Sequence, residues 1–226
     1  FDDILMRYIP KNPIIFDVGA NKGQSIKRFK KIFNNPIIHA FEPIKFEYEK
    51  LKLKYENDKN VILNNCAIGE KNQYEDFYIA ALTGTSSFKK FNKNSNWIKV
   101  RSKQYKKSID NYVQDIQKTK IIPLDQYCLE NTIKKIDLLK IDTQGYEDKV
   151  LQGSKKILEE NKISIVLTEI HFDNVYEKYL NFIDIEKYLI PNNFRLVGID
   201  SSNTDLFSGL IFAVDAMYFH QKKFNL

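Results

Sequence analysis

The chain has 226 residues, 43% hydrophobic and 28% charged, a balance that sustains one sizeable core and excludes a disordered, collagen-like or disulfide-rich protein. Its net charge of +6 comes from 35 Lys+Arg against 29 Asp+Glu, which predicts an acidic partner without naming its kind. Cys66 and Cys128 form neither a CxxC nor a zinc-type spacing, and no apolar run approaches the roughly 20 residues of a membrane span, so a soluble, reduced, cytoplasmic protein is expected.

Ile14 to Val18 is a short apolar run closed by Gly19 and predicts a strand buried on both faces. Ile26, Phe29 and Phe33 alternate with lysines at helical spacing until Asn34-Asn35-Pro36 stops them. The unit repeats as a strand over 37–41, a helix over 46–55 and a strand over 61–66, which predicts an α/β protein with a parallel sheet. Tyr74 to Ala80 reads as an extra strand, and Thr83 to Lys107, polar and without a clear period, as a loop or small insert. Extended structure resumes at Ile121 to Leu124, followed by a short helix over 127–133, a strand over 136–141, one helix over 147–158, a strand over 163–168 and a helix over 182–189. Phe194 to Ile199 and Leu210 to Phe219, joined by a polar turn over 200–208, predict a terminal hairpin on the sheet edge. Residues 1–226 read as one domain with an insert at about 73–120.

The charge is concentrated. Between Asp76 and Asp110 there is no acidic residue, and the gap holds Lys89, Lys90, Lys93, Lys99, Arg101, Lys103, Lys106 and Lys107. These eight positives exceed the surplus of the whole chain, so a slightly acidic body carries one basic segment. A solvated lysine-rich face is the competing reading.

The turn Phe16-Asp17-Val18-Gly19-Ala20-Asn21-Lys22-Gly23 is the most informative local signal. Gly19 permits a tight turn and close ligand approach, and Gly23 close packing at the helix start. Glu42, at the end of the second strand, suits the two hydroxyls of a ribose. Asn21 stands where a dinucleotide fingerprint has its middle glycine, which disfavours a pyrophosphate and an NAD-dependent oxidoreductase. Asp17 suits the amino group of a methionine moiety.

These motifs, with Ala40-Phe41-Glu42-Pro43, Cys66-Ala67-Ile68-Gly69, Leu138 to Glu147 (Leu-Leu-Lys-Ile-Asp-Thr-Gln-Gly-Tyr-Glu), Val150-Leu151-Gln152-Gly153 and Val214 to Phe219, resemble the FkbM-type family of S-adenosylmethionine-dependent methyltransferases over nearly the whole chain. The resemblance implies a class I methyltransferase Rossmann-like sheet of order 3-2-1-4-5-7-6 with strand 7 antiparallel and the basic insert between strands 3 and 4. It implies that Asp17, Gly19 and Asn21 line the methionine part of the cofactor, Glu42 the ribose, and Asn65-Cys66-Ala67 the adenine. Thr85-Ser86-Ser87-Phe88 resembles the family's serine-rich loop, which makes Ser86 and Ser87 candidate acceptor contacts, and the positive charge of the insert adds Lys89 and Lys90, suited to an acceptor that carries phosphates or to an anionic glycan.

An aliphatic hydroxyl is a poor nucleophile without a base or a metal. Two schemes use Asp142, Glu169 and His171: His171 as general base oriented by a carboxylate, or all three as ligands of Mg²⁺ or Mn²⁺. Glu169 and His171, two apart on a strand, share a face. Plainer roles stand beside these: a helix cap for Asp142, a structural or solvent role for His171, packing for His39, a helix N-terminus for Glu147. Phe88, Phe91, Trp97 and Tyr105 either close a small lid core or stack on a substrate. The leading expectation is O-methylation of a sugar or nucleotide-linked sugar in capsule, lipopolysaccharide or other polysaccharide assembly. A nucleic-acid methyltransferase using the basic segment is the alternative; the absence of an Asn/Asp-Pro-Pro-aromatic motif disfavours it.

Overall fold

The computed structural model describes residues 1–172, 174–200 and 213–224. A short helix, α1 (Asp2–Tyr8), leads into β1 (Ile14–Val18), α2 (Gln24–Ile32), β2 (Ile37–Phe41), α3 (Lys45–Tyr55) and β3 (Val61–Asn64). Then come β4 (Ala67–Ile68), β5 (Gln73–Ala80), α4 (Asn96–Gln104) and β6 (Val113–Ile122). The alternation resumes with α5 (Leu124–Glu130), β7 (Ile136–Ile141), α6 (Glu147–Gln152), α7 (Lys155–Glu159), β8 (Ile163–His171) and α8 (Phe182–Leu189), and closes with β9 (Phe194–Asp200), β10 (Ala213–His220) and α9 (Gln221–Phe224).

Seven strands form one sheet in the order β3-β2-β1-β7-β8-β10-β9, with β10 antiparallel to both neighbours and the other pairings parallel. Numbered within this sheet, the order is 3-2-1-4-5-7-6. Side chains alternate between two cores because strand residues face opposite sides in turn. Phe16, Leu139 and Val166 enter the core shared with α5 to α8, whereas Ile15, Leu138 and Ile165 enter the one shared with α1 to α3. All six are fully buried, each stabilising the fold by about 1.5–3 kcal/mol. The register Val18↔Phe41, Val18↔Ile141 and Phe41↔Asn64 aligns the carboxyl ends of four strands, so the loops after β1, β2 and β7 emerge side by side.

His39 is a packing residue: its ring stacks on Phe16 at 4.7 Å, Nδ1 lies 2.8 Å from the Tyr127 hydroxyl, and burial lowers its pKa to about 4. Cys66 and Cys128 are both free and buried. Among the described residues no helix is long and apolar enough to cross a membrane.

The segment between β3 and β7 differs most from the reading of the sequence. It carries its own three-stranded sheet, β4-β6-β5, and α4 lies within the stretch expected as loop. Ser95 caps α4, its hydroxyl accepting from the Ile98 amide at 3.2 Å. Phe91, Trp97, Ile98, Tyr112 and Tyr176 form a small core beneath it, with Phe91 and Trp97 stacked at 5.9 Å. Phe91, Trp97 and Tyr105 therefore belong to a small core, whereas Phe88 packs with Phe77 and Tyr146, and both Phe88 and Trp97 also line the cavity described below. The helix expected over 147–158 is two, α6 and α7, separated at Gly153-Ser154. A Cβ on Gly153 would lie 1.9 Å from the Gly69 carbonyl oxygen, so the chain must stay bare there. Asp125 then caps α7, its carboxylate accepting from the Lys156 and Ile157 amides at 2.9 and 3.0 Å. β9 and β10 are the expected hairpin strands; their connection over 201–208 lies outside the described residues.

Candidate active site

A cavity of about 630 Å³ opens over the carboxyl ends of β1, β2, β7 and β8 and is roofed by the insert. Its floor begins at the turn after β1. Gly19 has φ 87°, and a Cβ there would stand 1.9 Å from the Asp142 carbonyl oxygen, so two backbone loops meet where no side chain fits. Asn21, also left-handed at φ 46°, donates its amide to Glu42 Oε2 at 2.6 Å, and Glu42 Oε1 accepts from the Ile44 amide at 2.7 Å. Burial raises Glu42 to about 7 against the pull of these two amides. The carboxylate faces the cavity with lone pairs left to accept hydroxyls. Ile44, Ala67, Ile68, Phe77, Phe88 and Tyr146 form an apolar wall beside it.

Lys140 rises from the middle of the sheet as a buried cation. Its ammonium donates to the Gly19 carbonyl oxygen at 3.0 Å, pairs with Asp17 Oδ1 at 3.0 Å and approaches Asp142 Oδ2 at 3.4 Å. The Asp17 contact is close enough for an ion pair but lies off the line of a hydrogen bond, so that among the described residues neither carboxylate oxygen has a directed donor. Burial alone would lower the pKa of Lys140; the two aspartates outweigh it and raise the value. Burial raises Asp17, with Lys140 pulling the other way.

At the far end Gln144, at φ 57°, joins two carboxylates. Its Nε2 donates to Asp142 Oδ1 at 2.9 Å and to Glu169 Oε2 at 2.6 Å, one for each amide hydrogen. Its Oε1 accepts from the buried Tyr176 hydroxyl at 3.0 Å, which also reaches the Thr85 carbonyl oxygen at 2.9 Å. Glu147, fully enclosed, braces this loop by accepting from the Thr143 and Gly145 amides at 2.9 and 3.0 Å; burial raises it to about 7. Burial raises Glu169 well above the ordinary carboxylate range, reinforced by Asp142, Glu147 and Asp215. Asp215, which also lines the cavity, is raised to about 6, first by burial and then by Asp142.

Gly19, Asn21, Glu42, Ala67, Ser86, Asp142 and Glu169 line this cavity, and other candidates do not. Asp17 is fully buried beneath Lys140, which stands between it and the cavity. Gly23 precedes α2 and packs toward Leu51. Asn65 is spent holding the Glu42 and Pro43 carbonyl oxygens, and Cys66 lies in the core with Tyr127. Ser87 is buried, its hydroxyl donating to the Gln144 carbonyl oxygen at 2.7 Å. Lys89 lies over the Tyr146 ring, and Lys90 lines a separate groove on the insert. His171 shares a face with Glu169, as expected, its Nε2 3.3 Å from Glu169 Oε2, but it is buried behind that carboxylate. The metal reading of Asp142, Glu169 and His171 does not fit. Among the described residues no group of three or more His, Cys, Asp or Glu is disposed to hold a metal ion, and Gln144 engages both carboxylates instead.

Sequence reasoning missed Lys140, Gln144, Tyr176 and Arg101. Lys140 had a visible signal, a lone charge inside an apolar strand. Gln144 and Tyr176 become meaningful through contacts 25 and 32 residues apart in the chain, and Arg101 through its place in the cavity lining.

A seven-stranded sheet of this order, with an acidic β2 end and a glycine turn facing one cavity, is the architecture of the class I methyltransferases. The methyltransferase FkbM domain model matches residues 17–196, and the chain belongs to that family. It is a methyltransferase enzyme, which removes the oxidoreductase alternative. It is 25% identical over 171 residues to the 2-O-methyltransferase NoeI of Sinorhizobium fredii, covering 75% of this chain and 68% of that protein. The crystal structure of methyltransferase FkbM from Methylobacillus flagellatus superposes with a TM-score of 0.58 at 13% identity, covering 92% of this chain but only 44% of that one. The Methanococcus jannaschii fibrillarin pre-rRNA processing protein gives a TM-score of 0.51 at 13% identity, covering 94% and 68%. Both structural likenesses are of fold.

Proposed function

We propose that the chain is an S-adenosylmethionine-dependent O-methyltransferase whose acceptor is a sugar hydroxyl, with residues 1–226 acting as one domain. The observation that carries the proposal is one cavity with two unlike ends, Glu42 beside an apolar wall and the Asp142–Gln144–Glu169 cluster. The cofactor, when bound, supplies a methyl group on a sulfonium. Glu42 accepts the ribose hydroxyls, Ile44, Ala67 and Ile68 enclose the adenine, and the Gly19–Asn21 turn receives the amino-acid part. Lys140 acts from behind by fixing the Gly19 carbonyl and Asp142 in one frame.

At the other end Asp142 orients the acceptor hydroxyl and Glu169 takes its proton. A carboxylate with raised proton affinity is better matched to a base's task near neutrality than an ordinary one. His171 stands behind Glu169 as a positioning residue. An array of acceptors such as Asp142, Glu169, Asp200 and Asp215 suits a polyhydroxylic ligand, and transfer to oxygen is supported by the relative named a 2-O-methyltransferase. Buried free thiols fit a reducing, cytoplasmic setting. Screening sugars and nucleotide sugars for methyl transfer with mass detection tests the assignment. A single mass gain of one methylene on a sugar is expected; methylation of RNA but of no sugar would overturn it.

A further inference from the structure

The basic insert sends one of its eight cations into the cavity. Arg101, on α4, lines it, whereas Lys89 lies on Tyr146 and Lys90 and Lys93 line a groove on the outer side. Its guanidinium lies 5.6 Å from the centre of the Trp97 ring, and Nη1 donates to Gln104 Oε1 at 2.7 Å. Among the described residues its buried Nε has no hydrogen-bond partner and no carboxylate lies within ion-pair distance of it. An arginine beside an indole, on a capped helix that lines the cavity, keeps guanidinium N–H groups beyond the one given to Gln104 with which to receive an acceptor from a ligand. Elsewhere in the lining of the cavity Asp142, Glu169, Asp200 and Asp215 offer acceptors and suit hydroxyls. Arg101 supplies the opposite chemistry.

Building on the sugar methyltransferase reading, we propose that Arg101 seats an anionic substituent of the acceptor, a phosphate or carboxylate carried on the sugar whose hydroxyl is methylated. Guanidinium binds both groups through paired N–H donors. A charged substituent anchored there would set which hydroxyl faces Asp142 and Glu169, so Arg101 determines specificity and takes no part in proton transfer.

Trp97 is the only tryptophan in the sequence, so intrinsic tryptophan fluorescence reports directly on this site. The enzyme, saturated with S-adenosylhomocysteine, is titrated with glucose 1-phosphate, glucuronate and neutral methyl glucoside. At least one anion is expected to give a saturable signal about tenfold or more tighter than the neutral sugar, and which anion responds identifies phosphate or carboxylate. Arg101→Met should weaken that anion at least about tenfold, the loss of a charge-assisted pair, and Arg101→Lys should restore part of it. Equal binding of neutral and anionic sugars, no binding of either anion, or unchanged anion affinity in Arg101→Met would overturn the inference. Calorimetry with S-adenosylhomocysteine on the same proteins separates the two levels. Retained cofactor binding with a failed anion arm refutes Arg101 alone, whereas no cofactor binding in the wild type refutes the methyltransferase site itself.

Discussion

Replacing Lys140 with methionine removes the cation from beneath the cavity while preserving an apolar stem in the strand. Asp17 is 0% exposed and Lys140 is its single ion-pair partner among the described residues. Breaking a buried pair by deleting one member costs about 3–5 kcal/mol, because the remaining charge is stranded. At this chain length that corresponds to a fall in melting temperature of about 10 °C. The sign with pH follows from Asp17. Its folded pKa already lies above the ordinary 3.8 through burial and must rise further once Lys140 no longer opposes that. A raised folded pKa means stability fully present below the unfolded value of about 4 and lost as pH rises toward the folded value. The deficit of Lys140→Met should therefore be largest near pH 7 and shrink toward pH 4. Urea unfolding followed by circular dichroism at both pH values measures it. The double variant Asp17→Asn with Lys140→Met should recover most of the loss at pH 7, since no orphan charge remains. A single-variant loss below about 1 kcal/mol, or a double variant no more stable than the single, would refute this account of the pair.

In an active preparation, the acid limb of kcat/KM should lie above the usual carboxylate range, rising with pH as Glu169 loses its proton, and Glu169→Gln should remove that limb with most of kcat; an unchanged profile would take Glu169 out of the role. Tyr176→Phe removes the hydroxyl that holds Gln144 Oε1 and should lower kcat several-fold with little change in KM, measured by steady-state kinetics. Gly19→Ala should abolish cofactor binding by calorimetry or prevent folding, because its Cβ would meet the Asp142 carbonyl oxygen. Turnover should survive EDTA, since Asp142 and Glu169 are engaged by an amide rather than disposed around a metal; loss of activity restored by Mg²⁺ or Mn²⁺ would contradict that geometry.

Much of the sheet was legible because parallel strands buried on both faces, such as Ile14 to Val18 and Ile136 to Ile141, leave apolar runs that need no partner to be recognised. The same holds for the glycine turn and Glu42, whose spacing along one βαβ unit carries the signal. The insert was harder. β6 exposes one face to solvent through Gln114, Lys118 and Lys120, so its ten residues carry little hydrophobic pattern, and α4 buries only Trp97, Ile98 and Ser102. At the site, Asp17 reads as a ligand-facing acid until Lys140, 123 residues away, is seen to cover it. Asp142 and Glu169 were found from their positions at strand ends, but the bridge between them depends on Gln144 adopting a left-handed conformation that sequence does not announce. Lys89 and Lys90 were chosen by charge alone, but of the insert's cations the one that lines the cavity is Arg101, on α4.

The central claim is that Glu42 and the cavity around it hold S-adenosylmethionine. Calorimetric titration of S-adenosylhomocysteine into the wild type and Glu42→Ala tests it most directly. Hydroxyl donors favour the charged carboxylate, so binding should tighten as pH rises through about 7, where Glu42 titrates in the free protein. One site per chain is expected in the wild type, weakened at least about tenfold in the variant by the loss of hydrogen bonds to a charged acceptor. No heat of binding in the wild type, or equal affinity in the two proteins, would contradict it.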